Sequence, residues 1–107
     1  MKTFTLGQSK KEAVGMIPNK QIKLLQVGGQ RICISRINES FYAFEQHCPH
    51  RKASLHQGMI TDFEEVVCPL HEYRFHMKSG EVKAGSCGTL ETYSIKLTDS
   101  GLEIEMP

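Results

Sequence analysis

The sequence predicts a mainly β fold, a small sandwich or barrel, and three observations carry that expectation. Apolar and polar residues alternate at period two in several short runs, glycine-rich or polar turn signals separate the runs, and only one segment carries a helix start signal. With 107 residues the chain has core enough for one domain, residues 1–107, and its 39% hydrophobic and 23% charged residues are those of an ordinary globular protein.

Residues 21–27 and 31–37 alternate on either side of Gly28-Gly29, which reads as a β-hairpin. Asn38-Glu39-Ser40 marks the next turn, before the apolar run 41–44, in which Phe41, Tyr42 and Phe44 read as core. Residues 64–67 read as a strand running directly into Cys68, and residues 73–76 alternate again before the turn Lys78-Ser79-Gly80. Residues 92–98 and 102–106 form a last hairpin across Asp99-Ser100-Gly101. The helical candidate is residues 10–16, with Ser9 as N-cap.

The formal net charge of +1 gives no electrostatic footprint for nucleic acid or an anionic membrane. No window approaches the roughly 18 uninterrupted apolar residues of a membrane span, and residues 1–7 lack a signal-peptide core, so the expected compartment is the cytoplasm. There, cysteines beside histidines point to metal rather than to disulfides.

Cys48-Pro49-His50 and, after 17 intervening residues, Cys68-Pro69-Leu70-His71 each offer one thiolate and one imidazole. On extended chain the Cα atoms of residues i and i+2 lie roughly 6–7 Å apart on one face, so both side chains can reach a polynuclear centre from a loop tip. Pro49 and Pro69 stiffen the loops where ligand positions must be held. A single tetrahedral zinc in a structural interaction module is the competing use of two sulfurs and two nitrogens. Zinc loops usually open with C-x₂₋₄-C, however, whereas cysteine and histidine alternate here.

This arrangement resembles the Rieske pattern, C-x-H followed by C-x-x-H, in which two cysteines hold one iron of a [2Fe–2S] cluster and two histidines the other. The resemblance extends through Leu55, Gly58, a strand from Met59, Phe75 and residues 78–82 to Gly85, Leu90 and Tyr93, covering the chain from about residue 20. It implies one cluster per chain, held by Cys48, His50, Cys68 and His71, on a fold of three antiparallel sheets. Residues from about 47 to 76 would form a cluster-binding subdomain inserted in a larger base. Where many members have glycine after the first and second histidines this chain has Lys52 and Glu72, and Ser86 and Thr89 replace third-loop prolines.

The implied function is that of a stand-alone ferredoxin similar to those of aromatic-ring dioxygenase systems. It would carry single electrons from a reductase to a terminal oxygenase or another redox enzyme. A module like the small subunit of an assimilatory nitrite reductase is the alternative within the family. No catalytic base, nucleophile or small-molecule substrate site is evident. Neutral imidazoles leave the oxidised site uncharged where four thiolates would leave it anionic, which makes reduction easier. Cys33 reads as a buried core thiol, Cys87 as a loop thiol, and His47, His56 and His76 as surface histidines. Arg51, Lys52 and Arg74 flank the ligand loops as a charged rim open to an acidic partner.

High-potential Rieske proteins carry a serine two residues and a tyrosine four residues after the second histidine, both donating hydrogen bonds at the cluster. Tyr73 and Phe75 stand there in this chain. Phenylalanine has no donor, and a tyrosine hydroxyl reaches too far from the backbone to replace that of serine, so the reduced form is less stabilised. The midpoint potential should lie near the low end of the family range, roughly −150 mV rather than +300 mV. Film voltammetry at neutral pH measures it, and a value above about +100 mV would refute the hydrogen-bond argument.

Overall fold

The computed structural model describes residues 2–49, 53–70, 72–85 and 88–107. In chain order its elements are β1 (Lys2–Leu6), α1 (Lys10–Met16), β2 (Ile22–Val27), β3 (Gln30–Ile37), β4 (Ser40–Glu45), a 3-10 turn (Leu55–Gln57), β5 (Met59–Ile60), β6 (Glu65–Val67), β7 (Arg74–His76), β8 (Val82–Ala84), β9 (Thr92–Thr98) and β10 (Gly101–Met106). The hairpins expected around Gly28-Gly29 and at residues 99–101 are β2–β3 and β9–β10. Gly28 takes the left-handed conformation at its turn, φ +62°. The expected helix is α1, and the Ser9 hydroxyl caps it by accepting from the Glu12 N–H at 3.1 Å.

Strand β1 was not legible as an element, because two apolar residues, Phe4 and Leu6, are too few to establish a period. It pairs along its length with β10, from Lys2 opposite Met106 to Leu6 opposite Leu102. All pairings are antiparallel. One sheet has the order β1-β10-β9-β4-β3-β2 and a second the order β5-β6-β7-β8. The larger sheet consists of two three-stranded halves joined by two residue pairs, Ala43 with Tyr93 and Phe44 with Thr92. With the two halves counted separately, they and the second sheet correspond to the three antiparallel sheets that the resemblance implied. Beyond the short joint β4 and β9 part, leaving a cleft of about 600 Å³ lined by Tyr42, Glu64, Lys78 and Lys96 among others.

Strands β3 and β4 are buried on both faces, which is why their sequences are almost continuously apolar. Ile32, Ile34, Phe41 and Ala43 face a base core with Ala13 and Ile17 at the helix and Leu102 and Ile104 of β10. The intervening residues Cys33, Tyr42 and Phe44 belong to a second core with Cys48, Leu55, Val66, Cys68, Phe75, Met77 and Leu90. Period-two geometry thus divides one hairpin between two cores.

Polar contacts also join the base to the second sheet, among them the Thr92 hydroxyl donated to the Lys78 carbonyl at 3.1 Å. Ser35, fully buried on β3, donates its hydroxyl to the Met77 sulfur at 3.1 Å. Lys20 pairs with Asp62. The Tyr42 phenol is pushed above its ordinary pKa, first by burial and then by the nearby Glu64 carboxylate.

Gly58 sits where the exit from the 3-10 turn crosses β6, and a Cβ there would overlap the Val67 carbonyl oxygen. Gly15, exposed within α1, has open space around it. Gly58→Ala should therefore destabilise the protein by about 1–3 kcal/mol, as overpacking does. Gly15→Ala should stabilise it by roughly 1 kcal/mol through helix propensity. Thermal unfolding of the two variants checks both signs.

Candidate metal centre

The two cysteine motifs form matching loops. The Cys48 N–H donates to the Ala53 carbonyl at 2.9 Å and the Cys68 N–H to the Tyr73 carbonyl at 2.7 Å. Each bond closes a loop of six residues with cysteine at its first position. Below the first neck, His47 bridges Ser54 and the Leu55 N–H donates to Gln46. Below the second, Val67 pairs with Arg74 and Val66 with Phe75. Each cysteine therefore stands at the entry of a loop, where the pairing below it fixes its backbone.

Gly58 sets these hairpins against each other. Its lack of a side chain lets the chain leaving the first loop pass under the Val67 carbonyl, one residue before Cys68. Met59 then pairs opposite Val67. Cys48 and Cys68 are 1% and 0% exposed and belong to one apolar cluster with Leu55, Phe75 and Leu90. His50 and His71 lie outside the described residues, as do Arg51, Lys52, Ser86 and Cys87. The described half of the expected donor set fits a sulfur-ligated iron: two thiols withdrawn from water, each on a pinned backbone.

Cys33 differs from that pair. It lies in the middle of β3, fully buried and opposite Phe44, and burial pushes its thiol up to about 12. Such a thiol stays protonated at neutral pH and keeps the core role expected for it. Phe41, Tyr42 and Phe44 are core residues as well.

The expected surface histidines are placed as follows. His47 is exposed. His56 is half-buried, its Nδ1 lying 2.7 Å from the Ser54 hydroxyl. His76 accepts the Lys78 and Ser79 N–H groups at Nδ1, which leaves the ring proton on Nε2, 3.4 Å from Glu64 Oε2.

Two further features lie near the second loop. Glu72 adopts φ +54°, so at the position where many Rieske proteins carry glycine this chain keeps the left-handed backbone with a carboxylate attached. Tyr73 lies against Gly85, twelve residues further on, where a Cβ would overlap its ring carbons. The chain beyond Gly85 is tied down again at Leu90, whose N–H donates to the Gly80 carbonyl at 2.9 Å.

Leu70, between Cys68 and His71, is 43% exposed, and the other large apolar side chains exposed among the described residues are Met59 and Phe63. All three lie between residues 59 and 70. No helix among the described residues is long and apolar enough to cross a membrane.

The sequence matches the Rieske [2Fe-2S] domain family over residues 10–94. A curated relative, the ferredoxin subunit of 3-phenylpropionate/cinnamic acid dioxygenase from Shigella boydii serotype 4, is 31% identical over 97 residues, 90% of this chain and 82% of its own length. Among solved structures, the ferredoxin of carbazole 1,9a-dioxygenase from Nocardioides aromaticivorans IC177 superposes with a TM-score of 0.83 at 21% identity, covering 97% of each chain. A structure described as a nitrite reductase NADPH small subunit gives 0.82 at 21% identity, covering 99% of this chain and 100% of its own. At that identity both structures speak for the fold alone. The family match spans most of the chain and takes in both cysteine hairpins: this protein belongs to the Rieske [2Fe-2S] domain family.

Proposed function

We propose that the chain is a one-electron carrier, a Rieske ferredoxin whose single [2Fe–2S] cluster is held by Cys48, His50, Cys68 and His71 within a subdomain of about residues 47–76. The observation that carries this reading is the pair of six-residue loops, each closed by the N–H of its own cysteine and each containing one histidine. When bound, the cluster supplies a centre that takes up and returns one electron without bond making in the protein. The chain's own residues do the rest. Cys48 and Cys68 approach from the buried side, where Leu55, Phe75 and Leu90 keep water from the sulfurs. His50 and His71 follow them in the loops and would present the outward side of the site to a partner.

The proposed partners are an electron-donating reductase and an electron-accepting oxygenase, by likeness to the dioxygenase ferredoxin subunit. The exposed Leu70 and Pro69 give the second loop an apolar tip suited to short-lived docking, with the exposed Arg74 behind it. The cytoplasm is the compartment that suits such a carrier.

Protein purified under anaerobic conditions should be red-brown, contain two irons and two acid-labile sulfides per chain, and give a Rieske EPR signal on reduction. A colourless protein with one zinc would refute the assignment.

The ligand set has its own test. Cys48→Ser and His71→Ala should lower iron content sharply, whereas Cys33→Ala combined with Cys87→Ser should leave it intact. Alanine is preferred at Cys33 because a serine hydroxyl would be buried among apolar side chains. Loss of iron in that double variant would overturn the assignment.

A further inference from the structure

We infer that the Glu72 carboxylate is a potential-setting charge, a negative group in the second cysteine loop that makes the centre harder to reduce; the inference rests on the cluster assignment above. Glu72 stands in the left-handed region, at φ +54°, and is exposed. A residue with a Cβ is strained there and glycine is not, and glutamate lacks the short polar side chain with which asparagine or aspartate bonds locally in that conformation. The loop thus keeps a backbone that glycine would serve better and carries an ionisable group on it. Strain of this kind gathers at functional sites, where the side chain serves more than packing.

The loop closure places Glu72 beside the site. The Cys68 N–H donates to the Tyr73 carbonyl at 2.7 Å, and Glu72 is the residue before Tyr73. Standard backbone dimensions then put the Glu72 Cα within about 9 Å of the Cys68 nitrogen. Charges interact over roughly 8 Å at physiological ionic strength, so a carboxylate in this loop is felt at the centre. It is also uncompensated. The nearest lysine or arginine in sequence among the described residues, Arg74, turns its guanidinium to Glu65 at 4.0 Å. Glu72 takes part in none of the ion pairs among the described residues.

Taking up one electron adds one negative charge to a site that is uncharged when oxidised. A carboxylate nearby therefore repels the reduced form and leaves the oxidised form almost unaffected, which lowers the midpoint potential. Water around the exposed side chain damps the effect without changing its sign. The missing hydrogen-bond donors at Tyr73 and Phe75 act in the same direction, but the two contributions can be separated. Added salt screens an exposed charge and leaves a short hydrogen bond intact.

The test is a redox titration of the cluster-loaded chain in solution, at about 0.01 M and about 1 M salt, where charges are screened over about 30 Å and 3 Å. Glu72→Gln removes the charge and keeps a side chain on the left-handed backbone. Glu72→Gly removes charge and strain together, and Glu72→Lys reverses the charge. At low salt all three should titrate at a higher midpoint than the wild type, the Gln and Gly variants by similar amounts and the Lys variant by more. Each shift should shrink several-fold at high salt, and iron content should stay at the wild-type level. Should one variant lose its iron, the other two make the same comparison, since each removes the carboxylate. A wild-type midpoint in the Gln and Gly variants at low salt would overturn the inference. So would a shift confined to the Gly variant, which would assign the effect to the backbone, or shifts of equal size at both salt concentrations, which would assign it to a bond rather than a charge. A wild-type chain lacking iron would remove the cluster assignment and this inference with it, a failure seen before any variant is made.

Discussion

The site depends on two backbone hydrogen bonds, Cys48 N–H to Ala53 and Cys68 N–H to Tyr73. Each closes a six-residue loop whose first residue, the cysteine, is held by its own backbone hydrogen bond. A metal ligand needs that combination: a backbone held to within fractions of an ångström, and side chains that face a common centre rather than alternate across a sheet. The remaining geometry brings the two necks together. Gly58 does so through a missing side chain, because any Cβ there would push the first hairpin away from Val67 and so from Cys68.

A second constraint lies beneath the necks. Strands β3 and β4 contribute to both cores, so the second sheet stands on the same hairpin that forms the wall of the base. Apolar packing carries most of this joint. The polar contacts across it among the described residues include a hydroxyl on a thioether sulfur, the Thr92 hydroxyl donated to the Lys78 carbonyl, an exposed ion pair between Lys20 and Asp62, and the Tyr42 phenol near Glu64. Ser35 matters mainly for the cost of leaving its hydroxyl unbonded in a dry core.

The distribution of exposed surface fits a carrier that must bind and release. Met59, Phe63 and Leu70 all belong to the part of the chain that carries the second cysteine hairpin. Apolar side chains there offer contact area without the geometric demands of a buried polar network, which suits transient association. The buried Cys33, by contrast, holds its proton far above neutral pH and adds packing rather than reactivity.

The sequence by itself determined the mainly β class, both long hairpins, the capped helix, and the two Cys-His motifs with their likeness to the Rieske family. These are local matters: period-two alternation, turn residues and i, i+2 spacing are written in neighbouring residues. Strand β1 escaped because a five-residue strand takes its identity from its partner β10, a hundred residues away. The same reason explains what only tertiary structure decided at the site. Tyr73 and Gly85 are twelve positions apart, Gly58 and Val67 nine, and neither pair has a period or motif to announce it. Close approach between distant backbones is created when sheets stack. A glycine in a sequence says that a side chain is missing, and only the fold says what occupies its place.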